Sequence, residues 1–240
     1  MIYQLYYKEE HKEDLFNNSA YTGFGLEPEL NDKLLDNCPE LEDPKTRLQL
    51  VEYAAFLWHW RNDDGEPWIG TTSHRQLKKN IPFVFESYDQ VDSMIRDHGI
   101  VGWGNYKFMG QSGKPITLAQ QSEICHPGLN EHLVQGMKQF GHNVPLDWVQ
   151  SSDGFFANYW VMRKDLFNDF MEFSWPIVKW SYESVEDSSL YKNQNKYGTV
   201  TPDKATGYLQ ERLFVIWYLK NNIRPFNASG QMYPLVHRGL

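Results

Sequence analysis

Hydrophobic residues are most concentrated near the carboxyl end of the chain, in the segment 207–219. Seven of the eight residues in 213–220 are apolar or aromatic, and a helix that is apolar on every side is buried. Glu211 and Arg212 precede this run and are predicted to lie in the first turn of the helix. A buried charge needs a partner or a function. Either Glu211 faces the positive helix N-terminus while Arg212 extends to solvent, or the pair has a functional role.

Shorter segments rich in β-branched and aromatic residues predict strands. We expect strands at 2–7, 67–73, 82–85 and 100–103, a core strand within 153–162, and a strand at 223–226. Between them, the pattern predicts helices at 44–60, 88–98, 118–124 and 129–140, and from 164 to about 180. This alternation of strands and helices predicts an α/β fold.

The helix 44–60 is the most clearly marked of these elements. It begins with Asp43-Pro44, a capping residue followed by a proline at the first helical position. Within a continuous helix, Glu52 would share a face with Leu48 and Phe56. Glu52 is then either a satisfied structural carboxylate or part of a site.

Other segments lack a regular pattern. The segment 17–43 predicts loops and short helical turns, and the glycine-rich segment 102–113 predicts a mobile loop. The polar segment 184–206 predicts a mobile, lid-like loop. Pro176 is expected to kink or end the helix that begins at 164.

Three polar residues, Ser73, His74 and Arg75, come at the end of the predicted strand 67–73. In open α/β sheets ligands bind outside the carboxyl ends of the strands. The sequence therefore predicts a binding site at these residues, with the end of the first strand as a second candidate edge.

Composition excludes several classes of protein. The net charge of −8 over 240 residues disfavours a nucleic-acid partner, which requires a basic surface. The two cysteines, Cys38 and Cys125, predict no disulfide framework, and His126, His132 and His142 match no standard zinc-ligand spacing. No signal peptide or transmembrane segment is evident, so we expect a cytoplasmic protein.

Three blocks of the chain, in order, resemble a family of bacterial and viral polysaccharide-biosynthesis glycosyltransferases known mainly as a domain of unknown function. This family is related to the GT-A nucleotide-sugar transferases. The blocks are the aromatic helix 52–62 followed by Trp68-Ile69-Gly70 and Ser73-His74-Arg75-Gln76, then 158–167 with Trp175-Pro176-Ile177, and finally Gly207-Tyr208-Leu209-Gln210-Glu211-Arg212-Leu213. The family's His-Tyr-Arg-Arg is here Ser73-His74-Arg75-Gln76, which puts any role of the first histidine in doubt.

The resemblance implies a single GT-A-like, Rossmann-related domain over 1–240, with a mixed central sheet flanked by helices. It implies a nucleotide-sugar donor, a saccharide acceptor and a role in polysaccharide or glycoconjugate biosynthesis. GT-A enzymes usually carry a metal-binding carboxylate pair where this chain has Ser73, His74 and Arg75. Arg75 would then neutralise the diphosphate without a metal, which we prefer slightly. Alternatively, Mn²⁺ or Mg²⁺ is bound by residues such as His74, Asp153 or His237.

The resemblance also suggests roles for individual residues. Glu211 is the candidate base for an inverting transfer, Asp153 is the second candidate, and Arg212 would bind substrate or pair with Glu211. Tyr6, Tyr7 and Lys8 would face the nucleotide and Asn158 the sugar, with Glu52, Ser73, His74 and Arg75 in the same donor site. Two alternatives remain: a catalytically inactive nucleotide- or sugar-binding module, and a metal-dependent hydrolase.

Overall fold

Strands and helices alternate along the chain in the computed structural model, which describes residues 1–62, 64–79, 81–110, 112–155, 157–184 and 205–236. The strands are β1 (Ile2–Tyr6), β2 (Tyr21–Gly25), β3 (Trp68–Ser73), β4 (Ile100–Gly102), β5 (Asn105–Met109), β6 (Asp153–Phe155), β7 (Trp160–Arg163), β8 (Phe226–Asn227) and β9 (Tyr233–Val236). The α-helices are α1 (Pro44–Leu50), α2 (Tyr53–Arg61), α3 (Tyr88–His98), α4 (Leu118–Cys125), α5 (Leu129–Gln139), α6 (Leu146–Gln150), α7 (Lys164–Ser184) and α8 (Ala205–Lys220). Short 3-10 helices span Glu9–Asp14, Pro39–Glu42 and Leu77–Lys79.

Six strands form the larger sheet, in the order β2-β1-β3-β7-β4-β8. The first three of these strands are mutually parallel, β7 runs antiparallel to both β3 and β4, and β8 is parallel to β4. A second sheet of three strands has the order β6-β5-β9. The larger sheet is therefore mixed, with its antiparallel strand in the interior.

Helices cover both faces of the larger sheet. Successive side chains of a strand point to opposite faces, and the neighbours Trp68 and Ile69 accordingly belong to different apolar clusters. Ile69 lies in the cluster that holds the buried residues of α2, α7 and α8, whereas Trp68 lies with Val91 and Ile95 of α3. This arrangement confirms the predicted α/β class with a mixed sheet flanked by helices.

Most of the predicted elements are present. Strands β1, β3, β4 and β8 lie at or beside the expected positions, and 153–162 contains β6 and β7. Helices α3, α4 and α5 also match their predicted segments. None of the helices in the described part of the chain is both long enough and apolar enough to cross a membrane.

The helix predicted at 44–60 is instead two helices. Asp43 caps α1 as expected, because its side chain accepts hydrogen bonds from the backbone N–H groups of Lys45 and Thr46. The helix then ends at Leu50, since Val51 has a positive φ of 50°, a conformation that is unfavourable for a β-branched residue. Glu52 therefore stands at the junction between α1 and α2, and it does not continue one helical face as predicted.

Three further segments were predicted wrongly. Strand β2 lies within 17–43 and was missed because glycines interrupt its strand pattern. The structure requires glycine at position 23, since a Cβ there would lie 2.7 Å from Cδ1 of Leu15. Strand β5 occupies part of 102–113, and 82–85 forms no strand. Helix α7 continues through Pro176 to Ser184.

The final helix begins at Ala205, two residues before Gly207. Glu211 and Arg212 therefore lie beyond its first turn, which removes the predicted interaction of Glu211 with the helix N-terminus, because that interaction acts within the first turn. The loop predicted at 184–206 lies almost entirely in 185–204, outside the described residues.

Candidate active site

A cavity of about 500 Å³ opens at the end of the larger sheet that is formed by the carboxyl ends of β1 and β3 and by the start of β7. Six of the residues that line it were predicted as site residues from the sequence: Tyr7, Glu52, His74, Arg75, Asn158 and Glu211. The topology brings them together, because β1 and β3 are parallel neighbours and β7 enters the sheet beside β3 from the same edge. Open α/β sheets bind their ligands at the carboxyl ends of the strands.

Two cationic side chains, Arg75 and Lys79, line this cavity. The turn after β3 places them, with the Arg75 N–H donating to Ser73 Oγ at 3.2 Å and the Lys79 N–H donating to the Arg75 carbonyl at 2.9 Å. Both side chains are exposed, and neither forms an ion pair or a side-chain hydrogen bond with any residue that the structure describes. Lys79 Nζ lies 5.6 Å from the centroid of the Tyr159 ring. Both cations are thus available to an anionic ligand.

Glu52 supplies one of the two carboxylates in the lining. Its Oε2 accepts a hydrogen bond of 2.9 Å from Asn158 Nδ2. Burial raises the pKa of Glu52, and the nearby Glu211 raises it too, while Lys79 and the Asn158 hydrogen bond act in the opposite direction. The carboxylate is therefore held in place and made more basic than an exposed glutamate.

The backbone around Glu52 and Asn158 is strained. Val51, Ala157 and Asn158 have positive φ angles of 50°, 64° and 57°. The Asn158 carbonyl is tied to β3, because Thr71 Oγ1 donates to it at 2.9 Å. Such conformations cost free energy and cluster at functional sites.

Glu211 is the other carboxylate, and it is paired with Arg212, whose Nη1 lies 2.7 Å from Glu211 Oε2. The Arg212 side chain is 2 % exposed and that of Glu211 28 %. Arg212 also donates to Ser122 Oγ at 3.3 Å and to Gln121 Oε1 at 3.1 Å. Arg212 thus connects α8 to α4 below the cavity, and Glu211 stands between this arginine and the open space.

His74 and His11 form a stacked pair in the lining, with ring centroids 3.9 Å apart. One ring nitrogen of His74, Nδ1, lies 3.0 Å from the Leu5 carbonyl oxygen. Burial lowers the pKa of His74, which His11 and Arg75 lower further. His74 is therefore a neutral wall residue held against β1.

Some of the predicted residues lie elsewhere. Tyr6 lines a separate cavity beside β2, and Lys8 is exposed, with its Nζ 3.7 Å from Glu10. Ser73 is buried and supports the turn after β3. Asp153 forms an ion pair with Arg224 in a different cavity, which α8 also lines. His237 lies outside the described residues.

Sequence reasoning missed the lining residues His11, Lys79, Tyr208 and Gln210. Gln210 is 2 % exposed, and its Nε2 has no hydrogen-bond partner among the described residues. An unsatisfied buried amide is costly, so this donor suggests a polar ligand. The sequence signal that could have identified Gln210 is its position next to Glu211 in the block 207–213, which resembles the glycosyltransferase family.

The residues present do not fit the divalent metal that GT-A enzymes usually bind. Mg²⁺ and similar cations prefer carboxylate oxygens, but β3 is followed by His74 and Arg75. Glu211 is paired with Arg212, and Glu52 is held by Asn158 through one of its two carboxylate oxygens. Across the described residues, no group of three or more histidine, cysteine, aspartate or glutamate side chains could hold a metal ion, and the predicted alternatives His74 and Asp153 line different cavities.

Fold and site together define a mixed α/β architecture with a polar cavity at the carboxyl ends of β1 and β3. Comparison with known proteins finds a similar solved structure, the apo form of the bifunctional glycosyltransferase WbbM, with a TM-score of 0.50 and 14 % sequence identity. The match covers 98 % of this chain and 44 % of the WbbM chain, so this chain spans less than half of that protein. At this identity the likeness concerns the fold alone. No family model and no curated protein matches the sequence.

Proposed function

We propose that the cavity binds a nucleotide-sugar and that the protein transfers the sugar to a saccharide acceptor. One observation carries the proposal: the unpaired cations Arg75 and Lys79 share a cavity with the carboxylates Glu52 and Glu211, at the ligand-binding edge of a GT-A-like fold. Glycosyl transfer needs both kinds of group, because a diphosphate leaves while an acceptor hydroxyl loses its proton. The proposed setting is polysaccharide or glycoconjugate biosynthesis, as the sequence resemblance implies, and the proposed location is the cytoplasm.

In this proposal Arg75 and Lys79 bind the diphosphate without a divalent cation. The guanidinium of Arg75 can donate two parallel hydrogen bonds to phosphate oxygens, whereas Lys79 contributes a point charge. The unsatisfied amide of Gln210 is free to donate to the sugar or to the diphosphate. The wall residues Tyr7 and Tyr208 offer rings for the nucleotide base or for the acceptor sugar.

The first test is thermal unfolding with a panel of UDP-, GDP-, dTDP- and CMP-sugars, each with and without EDTA. A ligand that binds only the folded state raises its stability, so at least one donor should raise the unfolding temperature, and EDTA should not reduce the shift. For Arg75→Ala we expect donor affinity to fall about 10- to 100-fold, from the loss of a charge-assisted contact of about 1.5–3 kcal/mol.

Arg96→Ala is the matched control, because Arg96 is an exposed arginine of α3 whose partner is Asp92. It should bind the donor like the wild type. Stabilisation by no member of the panel would contradict the proposal, and loss of binding in EDTA would contradict its metal-independent form.

The second candidate is a binding module without catalysis. The lack of a carboxylate pair after β3 favours it, since Ser73, His74 and Arg75 stand there. Donor binding with neither hydrolysis nor transfer would support the module, and turnover by the purified protein would exclude it.

A further inference from the structure

Two carboxylates line the same cavity, and an inverting transfer needs only one of them as its base. We infer that Glu52, at the junction of α1 and α2, is the general base of an inverting transfer, and that Glu211 instead holds Arg212 in place. This inference rests on the proposed function and assigns a role within the same site.

The hydrogen bonding of Glu52 is that of a positioned base. Among the described residues its carboxylate has one hydrogen-bond partner, Asn158 Nδ2, which contacts Oε2. The other oxygen, Oε1, has no such partner and belongs to a residue in the cavity lining. No cationic side chain of the described residues lies within ion-pair distance of Glu52. One oxygen is thus fixed while the other is free to accept a proton.

Glu211 has the opposite environment. Its Oε2 lies 2.7 Å from the Nη1 of Arg212, a guanidinium that cannot lose its charge in a protein. This adjacent cation holds one carboxylate oxygen in a charge-assisted hydrogen bond, so Glu211 is oriented toward Arg212. Removing Glu211 would take a carboxylate partner away from the buried Arg212, so Glu211 has a structural role.

The strained backbone supports the assignment to Glu52. Val51 and Asn158 adopt positive φ angles on the two sides of the Glu52–Asn158 hydrogen bond. The Val51 conformation ends α1 and that of Asn158 forms the turn before β7, and together they bring the α1–α2 junction and the start of β7 to one point. A base held this way keeps its geometry without reorganising during the reaction.

Burial and the groups around Glu52 together set its pKa, which is raised from the ordinary value. The titratable and charged groups that face it are Lys79, Arg75, Glu211, Tyr7 and Tyr159. Burial is the largest influence and raises the pKa of Glu52, to which Glu211 adds, while the two cations oppose it. A raised pKa gives a carboxylate more proton affinity for general-base catalysis.

The step is a single displacement. The acceptor hydroxyl oxygen bonds to the anomeric carbon from the face opposite the diphosphate while its proton passes to Glu52 Oε1. The bond between the anomeric carbon and the diphosphate oxygen breaks, and its electron pair leaves with the diphosphate, whose charge Arg75 and Lys79 balance. The anomeric configuration is inverted.

The experiment uses the donor that stabilises the wild type most, with water as the acceptor so that no saccharide acceptor has to be known. Donor affinity is measured by calorimetry, turnover from the released nucleotide, and the anomer of the released sugar by proton NMR before mutarotation. The variants are Glu52→Gln, Glu211→Gln and the control Glu172→Gln, an exposed carboxylate of α7. In Glu52→Gln the amide oxygen of the substituted side chain can still accept the Asn158 hydrogen bond, which protects the fold.

For Glu52→Gln we expect turnover to fall about 100- to 10,000-fold, the range for a general base, with donor affinity changed less than about threefold. The acid limb of the pH–rate profile should disappear, and the wild type should release the inverted anomer. Glu211→Gln should lose thermal stability and keep an acid limb, and Glu172→Gln should match the wild type.

Three results would overturn the inference: release of the retained anomer, near-normal turnover by Glu52→Gln, or an acid limb that only Glu211→Gln removes. These outcomes differ from failure of the proposed function, in which no donor binds at all. A donor that binds but that the wild type neither hydrolyses nor transfers to a saccharide would overturn both.

Discussion

Asn158 combines a left-handed backbone conformation with a side-chain hydrogen bond to the proposed base, Glu52. Its backbone has a φ of 57° and its amide donates to Glu52 at 2.9 Å. Asparagine tolerates this left-handed conformation better than most residues, so one residue satisfies both the turn before β7 and the position of the carboxylate. In the proposed mechanism it is a positioning residue that acts through Glu52.

Replacing Asn158 by glycine separates these two features. Glycine accepts the positive φ without strain, whereas the hydrogen bond to Glu52 is lost. We expect turnover to fall by as much as about 100-fold, because small displacements of catalytic groups have effects of that size. Since this bond lowers the pKa of Glu52, its loss should also move the acid limb of the pH–rate profile to higher pH.

The measurement is the pH–rate profile of Asn158→Gly beside that of the wild type, with thermal unfolding as the control for the fold. A drop in turnover with an unmoved acid limb would show that Asn158 acts on something other than the titration of Glu52.

At the scale of elements, helix packing depends on small residues that carry little weight in a hydrophobic pattern. Gly136 lies in the buried face of α5, where a Cβ would stand 2.9 Å from Cζ3 of Trp180 and 3.0 Å from Cγ2 of Ile177 in α7. The glycine therefore sets how closely α5 approaches α7. No period in the sequence distinguishes such a glycine from one that merely weakens a helix.

We predict that Gly136→Ala destabilises the protein by as much as about 2 kcal/mol. Alanine is the better helix former by about 1 kcal/mol, but the clash with an indole ring, typically about 1–3 kcal/mol for overpacking, outweighs that gain. Urea unfolding measures the difference, with Lys138→Ala as a control on the exposed face of the same helix. A stabilised Gly136→Ala protein would mean that α7 can shift to accept the methyl group.

Elements with strong local signals could be predicted from the sequence, whereas those decided by tertiary contacts could not. Asp43-Pro44 marked the start of α1 because capping is local. The break after Leu50 was missed because apolar residues continue through it, and only the conformation of Val51 shows it. Strand β2 was missed because Gly23 is required by its neighbours Leu15 and Tyr6.

At the scale of the whole molecule, the candidate site follows from topology more than from composition. Arg75 could be placed at a strand end from the sequence alone, since strand 67–73 was clear. The contact of Glu52 with Asn158 joins residues 106 positions apart, which no local pattern reveals. Lys79 and Gln210 were missed because their relevant features appear only in the folded chain. Lys79 is an exposed cation in the cavity lining, and Gln210 is a buried amide without a hydrogen-bond partner among the described residues.

The pH dependence of the free energy of unfolding tests whether the buried histidines are shielded from water as the structure shows. Burial lowers the pKa of His132 to about 4, and it also lowers the pKa values of His59 and His74. Between about pH 6.5 and 4 the unfolded chain then binds protons that the folded chain excludes, so the free energy of unfolding falls as the pH falls.

His132 should account for about 2 kcal/mol of this loss between pH 7 and pH 5, from a folded pKa of about 4 and an unfolded value of about 6.5. Its Nε2 lies 2.8 Å from Ser181 Oγ, and its ring stacks on Trp180, so it remains neutral at the contact of α5 with α7. Urea unfolding at both pH values should show that His132→Gln loses this part of the pH dependence, at the cost of some stability at pH 7. An unchanged slope would mean that His132 is protonated as readily in the folded protein as in the unfolded chain, and that water reaches this helix contact.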